Sequence, residues 1–574
     1  MNRILTCVLS LLAALSPLAH AQMTTEQRLI DFQHLAGIFA QNYGPYEFKR
    51  DVIRFDLFKL QPWVDRIRAA KTDVEYYEIQ AEYVAALKDT HSTVSTGSTF
   101  FANIDLDADI YDGKVLLDFI SRATFPAARY PFEIGDEIVT LDGKPVEFWL
   151  TELTRGISFA NERATRRLAA NYIFYRPQSV IPRAPEVGDK LRIEIRRAST
   201  GNLETYELDW EKGGLPIGTV GPVPTPNARV QTPATDAEQR LNHYGLPMGT
   251  APLLERLQNK KWDLAERGLA RLRGLGSRNP YFTLPTGFQL RLGARPADFH
   301  FSGTYNSGGK RIGYLRIPHF SPANEASALS ELAAEITFLN NNTDGLVLDI
   351  SRNTGGGCYA EDALDYIIPY PYEALGDQLR ASRSVLVSLE TQLAQLEPLG
   401  LPEELLAQFR LMLDKVREAY NKNRGLTDVL PGCTLTLERD TARNRFGDIV
   451  AYLKPVVVLT DELSISYADY AAAILQEAGR GPLFGYRTNG AGGAVYSTNA
   501  GFYSESGTSV TWSIGARNRF IGTDDYGTTN RLENVGVRPE IDFDYMTRDN
   551  LISGGRMFTD AFTAAILAEI AKGQ

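Results

Sequence analysis

Three short apolar runs, alternating with segments of helical spacing, constrain the fold of this chain more than any other feature. The runs are residues 312–317, 345–350 and 455–460, and each has the length and apolar content of a buried strand. Apolar residues recur every three or four positions over 324–339 and 467–478, as they do in helices. Strands that alternate with helices predict an α/β fold in which helices cover a sheet.

The rest of the chain differs in character from this region. Residues 22–100 are predicted to form a helical N-terminal segment, because their apolar residues recur at helical spacing. Residues 101–212 consist of short alternating runs with Gly and Pro between them, which predicts a β-rich domain. Residues 213–300, with five prolines in 213–236, are predicted to be a linker with an irregular or helical insertion. The α/β core then covers 301–574, and the fold class is mixed α/β.

Two leucine-rich stretches interrupt the α/β core. They have helical spacing and lie on either side of Pro398, Gly400 and Pro402. This pattern predicts a helical hairpin inserted over 380–424. Packing of the two helices against each other accounts for their apolar residues, and an interaction surface is the alternative.

The first 21 residues predict export. Arg3 precedes an apolar run over 4–15 and a small-x-small sequence at 19–21, which is typical of a secretory signal peptide cleaved after Ala21. The run is too short to cross about 30 Å of hydrocarbon. We therefore expect a periplasmic or secreted protein without a membrane span.

Composition argues against several classes of protein. The 574 residues carry a formal net charge of −10, which argues against a nucleic-acid partner. Three Cys and six His argue against a disulfide scaffold or a zinc cluster, and we expect neither a metal nor a cofactor. Removal of the signal peptide leaves Cys358 and Cys433, which either pair or remain thiols.

Two segments of the core carry groups suited to acyl transfer. Gly355 and Gly356 follow the 345–350 strand, and adjacent glycines let backbone N–H groups face a ligand. Ser466 stands where the 467–478 helix begins, and a helix N-terminus favours developing negative charge. The alternative is that Ser466 simply caps the helix.

A histidine is the expected base for a serine nucleophile. His91 ends the helical segment within the sequence LKDTHST, and His319 after the 312–317 strand is the rival base. The histidines that follow the signal peptide are His34, His91, His243, His300 and His319.

Five segments in order resemble the tail-specific (C-terminal processing) protease superfamily. A stretch at 135–146 precedes them and resembles the core of PDZ domains, although it lacks a Gly-Leu-Gly-Phe-type carboxylate loop upstream. The resemblance implies a ClpP/crotonase-like core, a serine endopeptidase and a protein or peptide substrate. The five segments are 312–317 (GYLRI within it), 345–356 (GLVLD followed by NTGG), 464–466 (SIS), 485–490 (GYRTNG) and 532–541 (LENVGVRPEI).

The chain departs from many members of the superfamily at one position. Those members activate the serine with a lysine in a T-x-G-K-G turn, and Ala491 stands at the lysine position here. A Ser–Lys dyad is therefore not available at that site. The chain is more similar to the branch that contains the tricorn protease core and the chlamydial protease-like activity factor, in which an N-terminal His and a C-terminal Glu serve the serine.

This resemblance implies a complete site. Ser466 is the nucleophile, His91 is its base, and Glu533 orients His91. The backbone N–H of Tyr467 and that of Gly355 or Gly356 form the oxyanion hole. The rivals of Glu533 are Asp469, Asp524 and Asp525.

Other interpretations stay open at this stage. An inactive relative would bind peptides or apolar ligands, as the fold does for retinoids in the interphotoreceptor retinoid-binding protein. An α/β-hydrolase esterase is disfavoured, because Ser466 lacks a G-x-S-x-G sequence. The branch also makes a homodimer and self-cleavage near 213–236 reasonable hypotheses.

Overall fold

The computed structural model describes residues 22–217, 272–401 and 403–572. The predicted signal peptide, residues 218–236 of the Pro-rich stretch and His243 lie outside them. Within the described residues, no helix combines the length and the apolarity that a membrane crossing requires.

The N-terminal segment is helical up to Ala85. Two of its helices begin with a capping box, in which Thr24 pairs with Gln27 and Thr72 pairs with Glu75. Their apolar faces share a core that also includes Leu87, Val94, Ala500 and Val510. The helices are Thr25–Asn42, Tyr46–Phe48, the π-helical turn Lys49–Ile53, Gln61–Ala69 and Asp73–Ala85.

A β-rich domain follows. Its hairpin turn at Asp142 and Gly143 has φ of 49° and 74°, as a two-residue turn of type I′ requires. Two helices, Val146–Thr154 and Glu162–Asn171, pack with its sheets. The strands of the larger sheet are Leu106–Tyr111, Lys114–Ile120, Glu137–Leu141, Lys144–Pro145, Lys190–Arg196 and Leu203–Asp209, and those of the smaller are Phe101–Asn103, Tyr175–Pro177 and Glu211–Gly213.

The core is built on a seven-stranded sheet. Its first three strands are antiparallel and the last five run parallel, the third strand belonging to both sets. In spatial order they are Gln289–Leu292, Phe301–Ser307, Lys310–Arg316, Gly345–Asp349, Val456–Thr460, Leu483–Gly485 and Ile541–Asp542.

Helices cover both faces of this sheet. Alternate strand residues face opposite sides, so Leu346 packs with the helices Glu325–Asn342, Tyr359–Leu364 and Tyr467–Glu477, whereas Val347 packs with Arg556–Lys572. The mixed α/β architecture expected from the sequence is therefore the observed one.

A helical hairpin and smaller antiparallel sheets complete the core. The helices Arg383–Leu396 and Glu403–Asn421 share an apolar cluster that includes Trp512. The strand Thr93–Ser95 pairs with Gly507–Thr511, and this pairing brings the end of the N-terminal segment against the C-terminal half. The strand Val495–Asn499 pairs with Gly507–Thr511 in the same sheet, and a second, four-stranded sheet contains Leu430–Pro431, Gly376–Leu379, Ser513–Thr523 and Gly527–Arg531.

The two cysteines left open by the sequence form a disulfide. Cys358 and Cys433 are 75 residues apart in sequence, and their Cα atoms lie 5.4 Å apart. This separation lies within the range that a disulfide spans. The bond connects the glycine turn to the segment that follows the helical hairpin.

Candidate active site

Ser466 lies in the sharp turn between the strand Val456–Thr460 and the helix Tyr467–Glu477. Its backbone has φ 59° and ψ −121°, a left-handed conformation that costs a serine about 1–3 kcal/mol. The half-buried side chain makes no capping hydrogen bond to the helix. The capping role considered from the sequence is therefore not used, and the strained turn holds the hydroxyl at the N-terminal end of the helix.

Backbone and side-chain hydrogen bonds hold this turn against the neighbouring strand. The Ser464 hydroxyl donates to the Ile350 carbonyl at 2.9 Å, and the Ile465 N–H donates to the Asn353 carbonyl at 2.9 Å. Ser464, the first serine of the SIS sequence, is buried and has a structural role.

The glycine turn lies directly against Ser466. A Cβ added at Gly355, whose φ is +78°, would lie 2.5 Å from the Cβ of Ser466 and 2.8 Å from the N of Tyr467. Contacts this short exclude any side chain at position 355. The Gly355 N–H is donated to Asn353 Oδ1 at 2.8 Å, whereas the Gly356 N–H makes no hydrogen bond to the described residues. Of the two glycines, Gly356 is thus the better oxyanion donor.

Tyr467 begins the helix that follows the serine. The first N–H groups of a helix are not used within it and can serve a ligand. Its hydroxyl donates to Glu361 Oε1 at 3.0 Å and lies 2.7 Å from Cys433 Sγ. The disulfide therefore packs beside the residue that follows the serine.

His91 is buried, with 1% of its surface exposed. Asp89 accepts the His91 N–H at 2.8 Å and the Ser92 N–H at 3.3 Å, and it also accepts the Tyr43 hydroxyl at 2.9 Å. Burial works to raise the pKa of Asp89, but the charges of Lys49 and His91, together with the hydrogen bonds from Thr511 and Tyr43, hold the pKa below its ordinary value. Asp89 thus fixes the backbone that carries His91.

Glu533 is fully buried beside a lysine. Lys49 Nζ donates to Glu533 Oε1 at 2.5 Å, and Oε2 has no hydrogen-bond partner within the described chain. Burial raises the pKa of Glu533 to about 8, Asp89 and Asp469 add to the rise, and Lys49 opposes it. The carboxyl group therefore gains or loses its proton close to neutral pH.

Hydrogen bonds connect the three segments that carry Ser466, His91 and Glu533. Asn534, next to Glu533, donates through Nδ2 to the Lys88 carbonyl and through its N–H to the Gly490 carbonyl, both at 2.8 Å. The Gly490 N–H in turn donates to Asp469 Oδ1 at 2.8 Å, in the first turn of the helix after Ser466.

The three side chains are not directly bonded to one another. In the described part of the chain, no hydrogen bond joins Ser466 to His91 or His91 to Glu533. Catalytic hydrogen bonds are often long or poorly aligned without substrate and tighten when it binds. The structure therefore brings their segments together without closing a triad.

The rival carboxylates have other roles. Asp524 and Asp525 are exposed and pair with Arg538 and Arg487. Buried Asp469 accepts the N–H groups of Gly490 and Ala491, and burial raises its pKa to about 6 against those hydrogen bonds.

The rival histidines are less suited to act as the base. His319 accepts the Ser321 N–H at Nδ1, so a neutral ring carries its proton on Nε2 and cannot accept one there. His300 bonds to Glu331 and Tyr359 through its two ring nitrogens.

The position expected for lysine is closed to it. Ala491 is fully buried and packs with Leu463 and Ile465 in the apolar core that extends from the β-rich domain.

The lysine of the site is instead Lys49, which the sequence interpretation missed, since nothing local distinguishes it from a surface lysine. Asp89 lies in the LKDTHST sequence, but no role was predicted for it. An Asp two residues before His91 is a signal for a side-chain-stabilised turn.

The described residues contain no cluster of His, Cys, Asp and Glu that could hold a metal.

The fold and this site together define a serine-type peptidase. Residues 311–541 match the sequence profile of peptidase family S41, and residues 106–216 match that of a PDZ domain. The chain carries an S41 peptidase domain, and the predicted relation to the tail-specific proteases is confirmed, as is the class of enzyme.

Relatives of similar length come from chlamydiae. An uncharacterized protein of Chlamydia muridarum (strain MoPn / Nigg) is 23% identical over 597 residues, which covers 96% of this chain and 94% of that protein. A protein of Chlamydia trachomatis serovar D is 24% identical over 609 residues, covering 98% and 96%. The structure of mature CPAF complexed with lactacystin has a TM-score of 0.70 and 19% identity and covers 96% of this chain and 99% of that one. At this identity the likeness establishes the fold.

Proposed function

We propose that the protein is an exported endopeptidase that cleaves proteins or peptides by acyl transfer, with Ser466, His91 and Glu533 as its catalytic set. The observation that carries the proposal is the conformation of Ser466. The half-buried Ser466 has a left-handed backbone and makes no capping hydrogen bond. Its turn therefore stores strain that a purely structural serine does not need.

Ser466 Oγ attacks the carbonyl carbon of the scissile peptide bond. The negative charge that develops on the carbonyl oxygen is received by the N–H groups of Tyr467 and Gly356. Loss of one such donor typically costs about 10²–10³ in rate. The glycine turn supports this role because it lies against Ser466 without a side chain between them.

His91 accepts the proton of Ser466 and later protonates the leaving amine. Glu533 stabilises the resulting imidazolium, directly or through a bridging water, with the oxygen that Lys49 does not occupy. The hydrogen bond between Ser466 and His91 closes when substrate is bound. His91 then takes a proton from a water molecule that attacks the carbonyl carbon of the acyl-enzyme, and it returns the proton to Ser466 Oγ as the ester bond breaks.

Export is supported by the signal peptide sequence and by the disulfide between Cys358 and Cys433, because disulfides persist in oxidising compartments. The mature protein is expected to begin at Gln22. N-terminal sequencing of protein recovered from the periplasm or medium checks this, and an intact Met1 there would contradict it. A homodimer stays a prediction.

Labelling with a fluorophosphonate probe tests the nucleophile. We expect the wild-type protein to be labelled at Ser466 and the Ser466→Ala variant to lose both labelling and proteolysis. Because Ser466 caps nothing, the free energy of unfolding should change by less than about 1 kcal/mol.

Ser382 provides the matched control, since its side chain caps the helix Arg383–Leu396 by accepting the Val385 N–H. Ser382→Ala should cost about 1 kcal/mol of stability and leave labelling unchanged. Wild-type protein that is folded but not labelled would favour a non-catalytic binding protein instead.

A further inference from the structure

Lys49 is buried at the site although no lysine was expected there. Its side chain is 1% exposed, and Nζ donates to Glu533 Oε1, to Asn534 Oδ1 and to the Lys88 carbonyl, the last at 3.0 Å. All three ammonium donors are therefore used, on groups within the catalytic cluster. The backbone of Lys49 begins a π-helical turn, a distortion frequent at functional sites.

The surroundings of Glu533 make a cation necessary. Glu533, Asp89 and Asp469 are all fully buried, and each of the two aspartates adds negative charge at Glu533. Burying like charges together favours protonation of one of them. Lys49 is the cation that hydrogen-bonds Glu533 among the described residues. The titratable groups that interact electrostatically with Glu533 or Lys49 are Tyr43, Asp89, Asp469 and Tyr526, and His91 acts on Asp89.

The two oxygens of Glu533 differ in a way that fits a divided task. Oε1 is held by Lys49, and Oε2 is buried without a partner in the described chain. A buried oxygen without a hydrogen bond costs about 1–3 kcal/mol. Such an oxygen can accept a hydrogen bond from a group that becomes a donor during the reaction.

We infer that Lys49 is a positioning residue of the active site, which holds Glu533 through Oε1 and leaves Oε2 for the imidazolium of His91. This role rests on the proposed function and extends it to a residue 484 positions distant in sequence. Lys49 therefore acts on Ser466 indirectly, through Glu533 and His91, and is not the base that takes its proton.

The rate of fluorophosphonate labelling against pH tests the inference in the full-length protein. Without the ammonium, Glu533 loses its proton at a higher pH, so Lys49→Met should slow labelling at neutral pH and partly recover at alkaline pH. At pH 7 we expect the labelling rate of Lys49→Met to fall roughly 10- to 100-fold. Loss of a triad carboxylate itself typically costs about 10⁴-fold in rate. Lys49→Arg keeps the charge and should keep the wild-type pH profile.

Two controls separate this role from a structural one. Lys114→Met removes an exposed lysine that donates to Glu137 at 2.8 Å and should leave labelling unchanged. In a Glu533→Gln background, Lys49→Met should cause no further loss, because both act through the same carboxylate. The double variant also removes both partners of the buried pair, so it remains testable if Lys49→Met alone fails to fold.

The outcomes distinguish this inference from the proposed function. If Glu533→Gln slows labelling but Lys49→Met does not, the positioning role is overturned and the catalytic set stands. The same holds if Lys49→Met lowers labelling equally at every pH, or equally with and without Glu533. If wild-type protein is not labelled, the proposed function fails and this role fails with it.

Discussion

At the scale of single residues, the protein buries several carboxyl groups and holds each by a different means. Asp89 accepts hydrogen bonds from its own loop and from Tyr43, and Glu533 is held by Lys49. Asp118, in the PDZ domain, accepts the Tyr111 hydroxyl through Oδ2, but its buried Oδ1 has no partner in the described chain. The charge of Glu533 is thus compensated by Lys49, whereas one oxygen of Asp118 has no partner in the described chain.

Asp118 is expected to make the protein less stable as pH rises. Burial, with the charges of Asp109 and Asp107, raises the pKa of Asp118 to about 7 from 3.8. The folded state therefore retains a proton that the unfolded state releases. The stability gained this way is fully present below pH 3.8, and it is lost as pH rises toward 7.

Asp118→Asn should remove this dependence, since the amide is never charged and still accepts from Tyr111. Relative to wild type, the variant should gain up to about 4 kcal/mol between pH 4 and 8. Urea unfolding at the two pH values measures the difference. Asp524→Asn, at an exposed carboxyl group, is the control; an equal gain there would contradict the argument.

At the scale of elements, two turns must approach each other for the site to form. One follows the strand Gly345–Asp349 and the other follows its parallel neighbour Val456–Thr460. Parallel neighbours end at the same edge of a sheet, which places Gly355 against Ser466. The approach is close enough that the glycine has no substitute.

Gly355→Ala is expected to disrupt the site. The new Cβ would lie 2.5 Å from Ser466 Cβ, at a φ of +78° that alanine avoids. Displacing the turn moves an oxyanion donor, so proteolysis should fall about 10²-fold or more. Stability should fall by about 1–3 kcal/mol.

Gly522→Ala is the matched control for this substitution. No heavy atom lies within 4 Å of a Cβ at that position, and its φ is ordinary. It should leave activity and unfolding within error of wild type. Full activity of Gly355→Ala would show that the turn does not serve the reaction.

At the scale of the whole molecule, the PDZ domain and the serine turn are parts of one structure. Leu463 and Ile465, on either side of Ser464, belong to the apolar core of the PDZ domain. Arg167 of that domain donates to Asp109 at 2.7 Å and to Glu462 at 3.0 Å, and all three are buried. The domain thus holds the turn that carries Ser466.

Arg167→Met should therefore affect both stability and activity. Removing one partner of a buried ion pair typically costs about 3–5 kcal/mol. Here it leaves Asp109 without its ion-pair partner, while Glu462 keeps its pair with Arg163 at 2.6 Å. Thermal unfolding and proteolysis should fall together. Arg166→Met breaks an exposed pair with Glu147 and should cost less than about 1 kcal/mol. Equal effects at 166 and 167 would contradict this coupling.

Local pattern explains what could be predicted. The strands at 345–349 and 456–460, the glycine turn and the helix after Ser466 are each encoded within a dozen residues, so apolar spacing and turn residues were sufficient. The disulfide required the distance between Cys358 and Cys433, which spacing does not provide. Lys49 was missed for the same reason, since its burial depends on residues from the other end of the chain.

The sequence by itself determined the class of the protein and the order of its motifs, because strand, turn and helix signals act over short stretches of chain. The tertiary structure decided which charged groups meet: Lys49 with Glu533, Asp89 with the His91 backbone, and Arg167 with Glu462. Those contacts join segments far apart in sequence and exist only after the sheet and its helices have excluded water. Burial then raises the pKa of Glu533, and that change is a property of the assembled fold.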